Sequence, residues 1–106
     1  MPNCWSRPHR IECCLKAVRD EIYYQVPCDD RDRAKDTLIN ILHQFENMLY
    51  EEFVPIYDKY YIVGDRPSIV ARKIAKHAIQ LGRTHCRRYV SLQLINVDAV
   101  YAKLDN

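Results

Sequence analysis

Residues 38–60 read LINILHQFENMLYEEFVPIYDKY, and the apolar side chains of this stretch fall at Leu38, Leu42, Phe45, Leu49, Phe53, Ile56 and Tyr60. Steps of four, three, four, four, three and four keep them on one side of a helix, whereas a strand would alternate. Ile41 and Met48 widen the stripe. The pattern therefore predicts a long central helix with a coiled-coil-like seam, available as core or as a dimer contact. Pro55 lacks an N–H and crowds the carbonyl of Glu51, so a kink or a restart is expected there.

Upstream, Ile11, Leu15, Val18, Ile22 and Val26 recur every three or four residues. They define a first helix from Pro8, tolerated in an opening turn, to Gln25, with Pro27 ending it. Asp29 and Asp30 sit where a carboxylate accepts from free N–H groups at the start of the next helix. Downstream, Gly64-Asp65 reads as a turn, with Asp65 able to cap and Pro67 suited to a first turn. Ile69, Val70, Ile74, Ala78 and Leu81 carry the apolar face of a third helix. Gly82 either ends that helix or is tolerated inside it at about 1 kcal/mol. Residues 89–97 fit helix or strand equally, because Val90, Leu92 and Leu94 alternate, and a short helix is expected over 96–104.

With two glycines and five prolines in 106 residues, the chain has too few turn residues for many short strands. The expectation is an all-α fold of three to four helices in a hairpin or bundle, forming a single domain over residues 1–106. A chain of this size buries only roughly 60–70% of its unfolded surface, so a homodimer would add much to its stability. No apolar run approaches the roughly 20 residues that cross a bilayer, and no signal peptide is recognisable. Those absences point to a cytoplasmic protein without a membrane partner. Five cysteines, Cys4, Cys13, Cys14, Cys28 and Cys86, form an odd set with one adjacent pair, which favours reduced thiols.

Charge is unevenly distributed. The net value is +2, yet residues 1–65 hold eight Lys/Arg against twelve Asp/Glu, and residues 66–97 hold seven Lys/Arg and no acid. On a continuous third helix, Lys73, Lys76, His77, Gln80, Arg83 and Arg87 fall near one side, opposite the apolar stripe. From Arg66 to Arg87 the rise is about 32 Å at 1.5 Å per residue. Cations on a rigid rod without nearby acids suit a phosphate backbone, since counterion release drives that affinity. The simpler alternative is a solvated face of an amphipathic helix. No helix-turn-helix, zinc-finger or ribonucleoprotein motif is present, so recognition of shape and backbone is expected, as for A-form RNA.

Other chemistry has less support. The eight tyrosines fit core or dimer packing better than base stacking, with Tyr89 beside Arg87 and Arg88 the exception. His9 and Cys13 have the i, i+4 spacing of two metal ligands, with Cys4, Cys14, Cys28, His85 and Cys86 as further candidates. Without a Cys-x-x-Cys pair, Cys13, Cys14 and Cys86 read as small buried hydrophobes, and no cofactor or metal is expected. His43 reads as a packed or edge residue. No nucleophile elbow, phosphate-cradling glycine loop or His-Glu-x-x-His helix exists, so the chain is not expected to be an enzyme.

Three stretches are similar to a known family. Pro8-His9-Arg10-Ile11 opens the first helix, followed by Ala17-Val18. Tyr24-Gln25, Pro27 and Asp29-Asp30-Arg31-Asp32-Arg33 lead into Asp36 and Leu38. Arg66-Pro67-Ser68-Ile69-Val70-Ala71 is similar to a Lys-Pro-Ser-Val-Val-Ala stretch at the start of the family's third helix. Across residues 8–71 the chain thus resembles the small double-stranded-RNA-binding silencing suppressors of the insect nodaviruses. The resemblance implies a helical homodimer that covers double-stranded RNA without regard to sequence, with contact roles for Arg31, Arg33 and Arg66. It departs from the family where Glu46, Glu51 and Glu52 replace cations on the second helix and the basic load moves to the third.

The expected contact set is Arg31, Arg33, Arg66, Arg72, Lys73, Lys76, Arg83, Arg87 and Arg88. The alternative is a helical interaction module, viral or adaptor-like, that docks on a host protein through its seam or its basic helix.

Overall fold

The computed structural model describes residues 6–25, 32–85 and 94–95, with the backbone alone at 32–35 and 83–85. Four helices follow in order: α1 Arg7–Gln25, α2 Asp32–Glu46, α3 Tyr50–Tyr60 and α4 Pro67–His85. No strand occurs among the described residues, as an all-α fold requires.

Ser6 starts α1: its hydroxyl accepts from the His9 N–H at 3.4 Å and its carbonyl from the Arg10 N–H at 2.9 Å. Ile11, Cys14, Leu15, Val18 and Ile22 are then buried on one face. Val26 and Pro27, read as the end of this helix, lie outside the described residues.

The long central helix expected over 38–60 is instead two helices, and the break falls at 47–49 rather than at Pro55. Three interactions explain the position. Asn47 folds back, its side-chain amide donating to the His43 carbonyl at 3.0 Å. Arg19 Nε of α1 donates to the Phe45 carbonyl at 2.9 Å, taking an acceptor that α2 would otherwise use to continue. Glu52 Oε1 accepts from the Leu49 N–H at 2.8 Å, half of a capping box, while the Leu49 carbonyl accepts from Glu52 and Phe53. Leu49 is extended there, with φ −78° and ψ 155°, and is 62% exposed. It therefore leaves the seam to which its spacing assigned it. Leu38, Leu42, Phe45, Phe53 and Ile56 are buried as expected, inside the single chain. Pro55 is accommodated within α3 because Pro55 and Glu51 are both exposed, so water can reach the carbonyl that loses its partner.

A tight turn leads into α4. Asp65 N–H donates to the Ile62 carbonyl at 2.9 Å, and Gly64 takes φ +95°, which a side chain would disfavour. The cap position belongs to Arg66, whose carbonyl accepts from Ile69 and Val70 at 2.9 and 3.2 Å, with Pro67 first in the helix. Asp65, expected as a cap, binds Lys73 instead.

Helices α1 and α4 form the most extensive contact, and α4 also packs on α2 and α3. Val70, Ala71, Ile74, Ala75, Ala78, Ile79 and Leu81 are buried, so α4 turns most of its circumference inward. Each large aliphatic or aromatic side chain removed from water here contributes roughly 1.5–3 kcal/mol. Gly82 continues α4 rather than ending it: a Cβ at that position would overlap Ile41 Cδ1 and stand 3.0 Å from Ile41 Cγ1. The missing side chain is what lets α2 and α4 approach. Leu94 closes the core, and Lys59 Nζ donates to the Ile95 carbonyl. Of the stretch ambiguous between helix and strand, residues 94–95 are helical; the rest, and the helix expected over 96–104, lie outside the described residues.

Candidate nucleic-acid interface

The rotation of α4 is set by its buried positions, and that rotation sorts its cations. At 100° per residue, Arg72, Lys76 and Arg83 fall within about 40° of one another, on the Ile79 side of the arc left to solvent. Arg72 and Lys76 are exposed, and Arg83 occupies the same register on the backbone. Lys73 and His77 lie toward the apolar boundary. Lys73 is only 11% exposed, its Nζ 2.8 Å from Asp65 Oδ2. His77 is 7% exposed, its Nδ1 2.6 Å from the buried Tyr60 hydroxyl. The expected row of solvent-facing groups therefore loses two members, because i+3 and i+4 steps from Val70 carry them into the packed face.

Tyr60 is held in its neutral form, since burial pushes its phenol well above the ordinary value. Its hydroxyl shares one hydrogen bond with His77 Nδ1, whose direction follows the imidazole tautomer. The Tyr60 and His77 rings meet edge to face at 5.8 Å.

Among the described residues, two clefts follow the line between α1 and α4. The first, about 680 Å³, is lined by Arg10, Cys13 and Ala17 of α1, by Asp65 and Arg66, and by Pro67 and Ser68 at the start of α4. The second, about 430 Å³, is lined by Glu21 and Gln25 of α1 with Arg72, Ala75, Lys76, Ile79 and Gln80 of α4. The order of these residues shows that the two helices run side by side in the same direction. Glu21 approaches Arg72 at 3.9 Å, but both side chains are exposed, and such a pair is worth about 0–1 kcal/mol. The groove thus has a basic wall on α4 and a mixed wall on α1.

Of the other expected contact residues, Arg66 is exposed at the α4 cap. Arg33 lies within α2, but its side chain, like those of Arg31, Arg87 and Arg88, falls outside the described residues. The proximity of Arg10 to Arg66 was not anticipated; α1–α4 packing creates it, and no local spacing signals it. The burial of His77 did leave a signal, since it sits three residues after Ile74 and four before Leu81, on the stripe itself.

On α1, Cys13 Sγ and His9 Nε2 are 3.5 Å apart. Among the described residues no third His, Cys, Asp or Glu joins them to form a metal-binding group. Cys14 is buried, as its reading as a small hydrophobe requires, and burial pushes its thiol up to about 12. No helix among the described residues is long and apolar enough to cross a membrane. No family model, curated protein or solved structure matches this chain.

Proposed function

We propose that this chain binds double-stranded RNA through its phosphate backbone, without reading sequence, and that by covering the duplex it shields it from silencing enzymes. The observation that carries the reading is the strip of Arg72, Lys76 and Arg83 in register on one face of α4, inside a 66–97 segment with no acid. From Arg72 to Arg83 the strip rises about 16 Å, long enough to meet several phosphates. Arg66 extends it at the cap, and Arg31, Arg33, Arg87 and Arg88 are the further cations of the proposed surface. Lys73 is withdrawn from that surface, being committed to Asp65. The deep major groove of A-form RNA hides base edges, so a cationic strip without a reading motif suits RNA shape.

A homodimer belongs to the same proposal. Its contact would lie outside the Leu38–Ile56 seam, because five of the six seam residues are spent within one chain. A gel shift with duplex RNA, single-stranded RNA and duplex DNA at two salt concentrations tests the binding, with Arg72→Glu and Lys76→Glu combined as the perturbed surface. The native chain should retain the RNA duplex best and lose affinity steeply with salt. Undiminished duplex binding by the charge-reversed chain refutes the assignment of the surface. Sedimentation of the free protein tests the dimer, and a monomer at all concentrations refutes it.

A further inference from the structure

We infer that the first cleft, between α1 and the start of α4, is a binding site for a phosphate monoester, with Arg10 and Arg66 as the groups that hold it. Arg10 and Arg66 both line the cleft, one from each wall. Neither makes an ion pair among the described residues. Arg10 is half-buried, and its Nε is shielded from solvent with no hydrogen-bond partner. A shielded guanidinium nitrogen is costly unless paired, and a small shift of the Arg10 side chain toward a bound phosphate would supply the pairing. Asp65 also lines the cleft, but its carboxylate is occupied by Lys73 Nζ at 2.8 Å. The charge left over is that of the two arginines. The first turn of α4 adds the positive end of its dipole as a lesser contribution.

Size narrows the ligand class. A volume of about 680 Å³ falls in the range of pockets that hold drug-sized molecules, and an inorganic phosphate would leave most of it unfilled. Ala17 and Pro67 offer apolar wall beside the arginines. A phosphate carrying a nucleoside fits both features, whether it comes from the end of an RNA strand or from a free nucleotide. This site shares Arg66 with the proposed duplex surface but uses neither Arg72 nor Lys76, and it does not depend on duplex coverage.

Cys13 lines the same cleft and provides the readout. In the full chain, alkylation of Cys13 by iodoacetamide is followed by peptide mapping, with adenosine 5′-monophosphate as the probe. Millimolar nucleotide should slow the reaction, and adenosine should not. Arg10→Ala and Arg66→Ala should each raise the half-protecting concentration at least about tenfold, the effect of losing one hydrogen bond between charged groups. Should Arg10→Ala lose helical circular dichroism, Arg66→Ala, at an exposed position, carries the test. Equal protection by adenosine, unchanged protection in the variants, or no protection in the native chain overturns the inference. A duplex RNA bearing 5′-phosphates that protects where its 5′-hydroxyl counterpart does not assigns the site to strand ends; protection by the mononucleotide alone assigns it to a free nucleotide. Arg72→Glu with Lys76→Glu should leave nucleotide protection unchanged, so failure of the cleft and failure of the duplex surface are told apart.

Discussion

Replacing Lys73 and, separately, Lys76 with alanine probes two cations less than one turn apart on α4 that occupy opposite environments. Lys73 is enclosed at 11% exposure, 2.8 Å from an Asp65 carboxylate that is itself 21% exposed. Removing one partner from a fully buried pair costs about 3–5 kcal/mol, and from a surface pair about 0–1. This pair lies between those limits, so Lys73→Ala should cost roughly 1–3 kcal/mol of folding stability. Lys76 is exposed, and its replacement should cost no more than the roughly 0–1 kcal/mol of an exposed ion pair. Duplex binding should reverse the order. Each phosphate contact contributes about 0.9 to the slope of log K against log salt. Loss of one contact at Lys76 should lower the slope by that amount, equivalent to roughly a 3.5-fold difference over a fourfold rise in salt. Lys73→Ala should leave the slope intact. Urea denaturation followed by circular dichroism gives the first quantity, and fluorescence anisotropy of a labelled duplex at two salt concentrations gives the second. Equal slopes lost at both positions, with Lys73→Ala as stable as the native chain, would refute the sorting of cations by the rotation of α4.

Three further outcomes follow from the packing. Gly82→Ala gains about 1 kcal/mol of helix propensity but overpacks the α2–α4 contact at a cost of about 1–3 kcal/mol, so it should destabilise or be neutral. Ile41→Val removes the Cδ1 that a Cβ would overlap, so thermal denaturation of the double variant should show less loss than the sum of the singles. Tyr60→Phe leaves His77 Nδ1 buried without this hydrogen-bond partner and should cost about 1–3 kcal/mol in urea, and additive losses on combining it with His77→Phe would disprove the coupling. The Cys14 thiol, near 9.0 when unfolded, is pushed up to about 12 by burial, so the folded chain keeps a proton that the unfolded chain releases. Stability from this group is full below pH 9.0 and is lost as the pH rises toward 12, by at most about 1.4 kcal/mol per pH unit. Tyr60 and Tyr57 shift the same way, and Cys14→Ala should flatten part of the alkaline fall seen by circular dichroism.

The helical class and both flanking helices were legible because their signals are local. Pro8 and Gln25 bracket α1 to within a residue of Arg7–Gln25, and Pro67 stands at the start of α4. The break between α2 and α3 was not legible, since the three-and-four spacing runs through Leu49 without a fault. Its causes are tertiary or conformational: Arg19 reaching the Phe45 carbonyl from another helix, and Glu52 turning back to the Leu49 N–H. Of the candidate contact residues, the charge count located the basic segment that α4 carries but not which of its cations face water. Lys73 and Asp65 are eight residues apart, beyond one or two turns of a helix, and they pair only because the Gly64 turn folds Asp65 back over α4.

That pairing shows how the core controls the candidate surface. A cationic strip can engage a polyanion at low entropic cost only if its members already share a direction, and here the direction is set by what α4 buries. Val70, Ile74, Ala78 and Leu81 on one side, with the close approach of Gly82 to Ile41, leave the helix one rotation relative to α1 and α2. In that rotation Arg72 and Lys76 point to solvent, while Lys73 and His77 meet Asp65 and Tyr60. A one-residue insertion between Leu81 and Arg83 would turn Arg83 by about 100° off the strip without changing the net charge. Surface chemistry on this chain is therefore a property of the packing register, and a variant at Gly82 that loses stability should lose strip geometry with it.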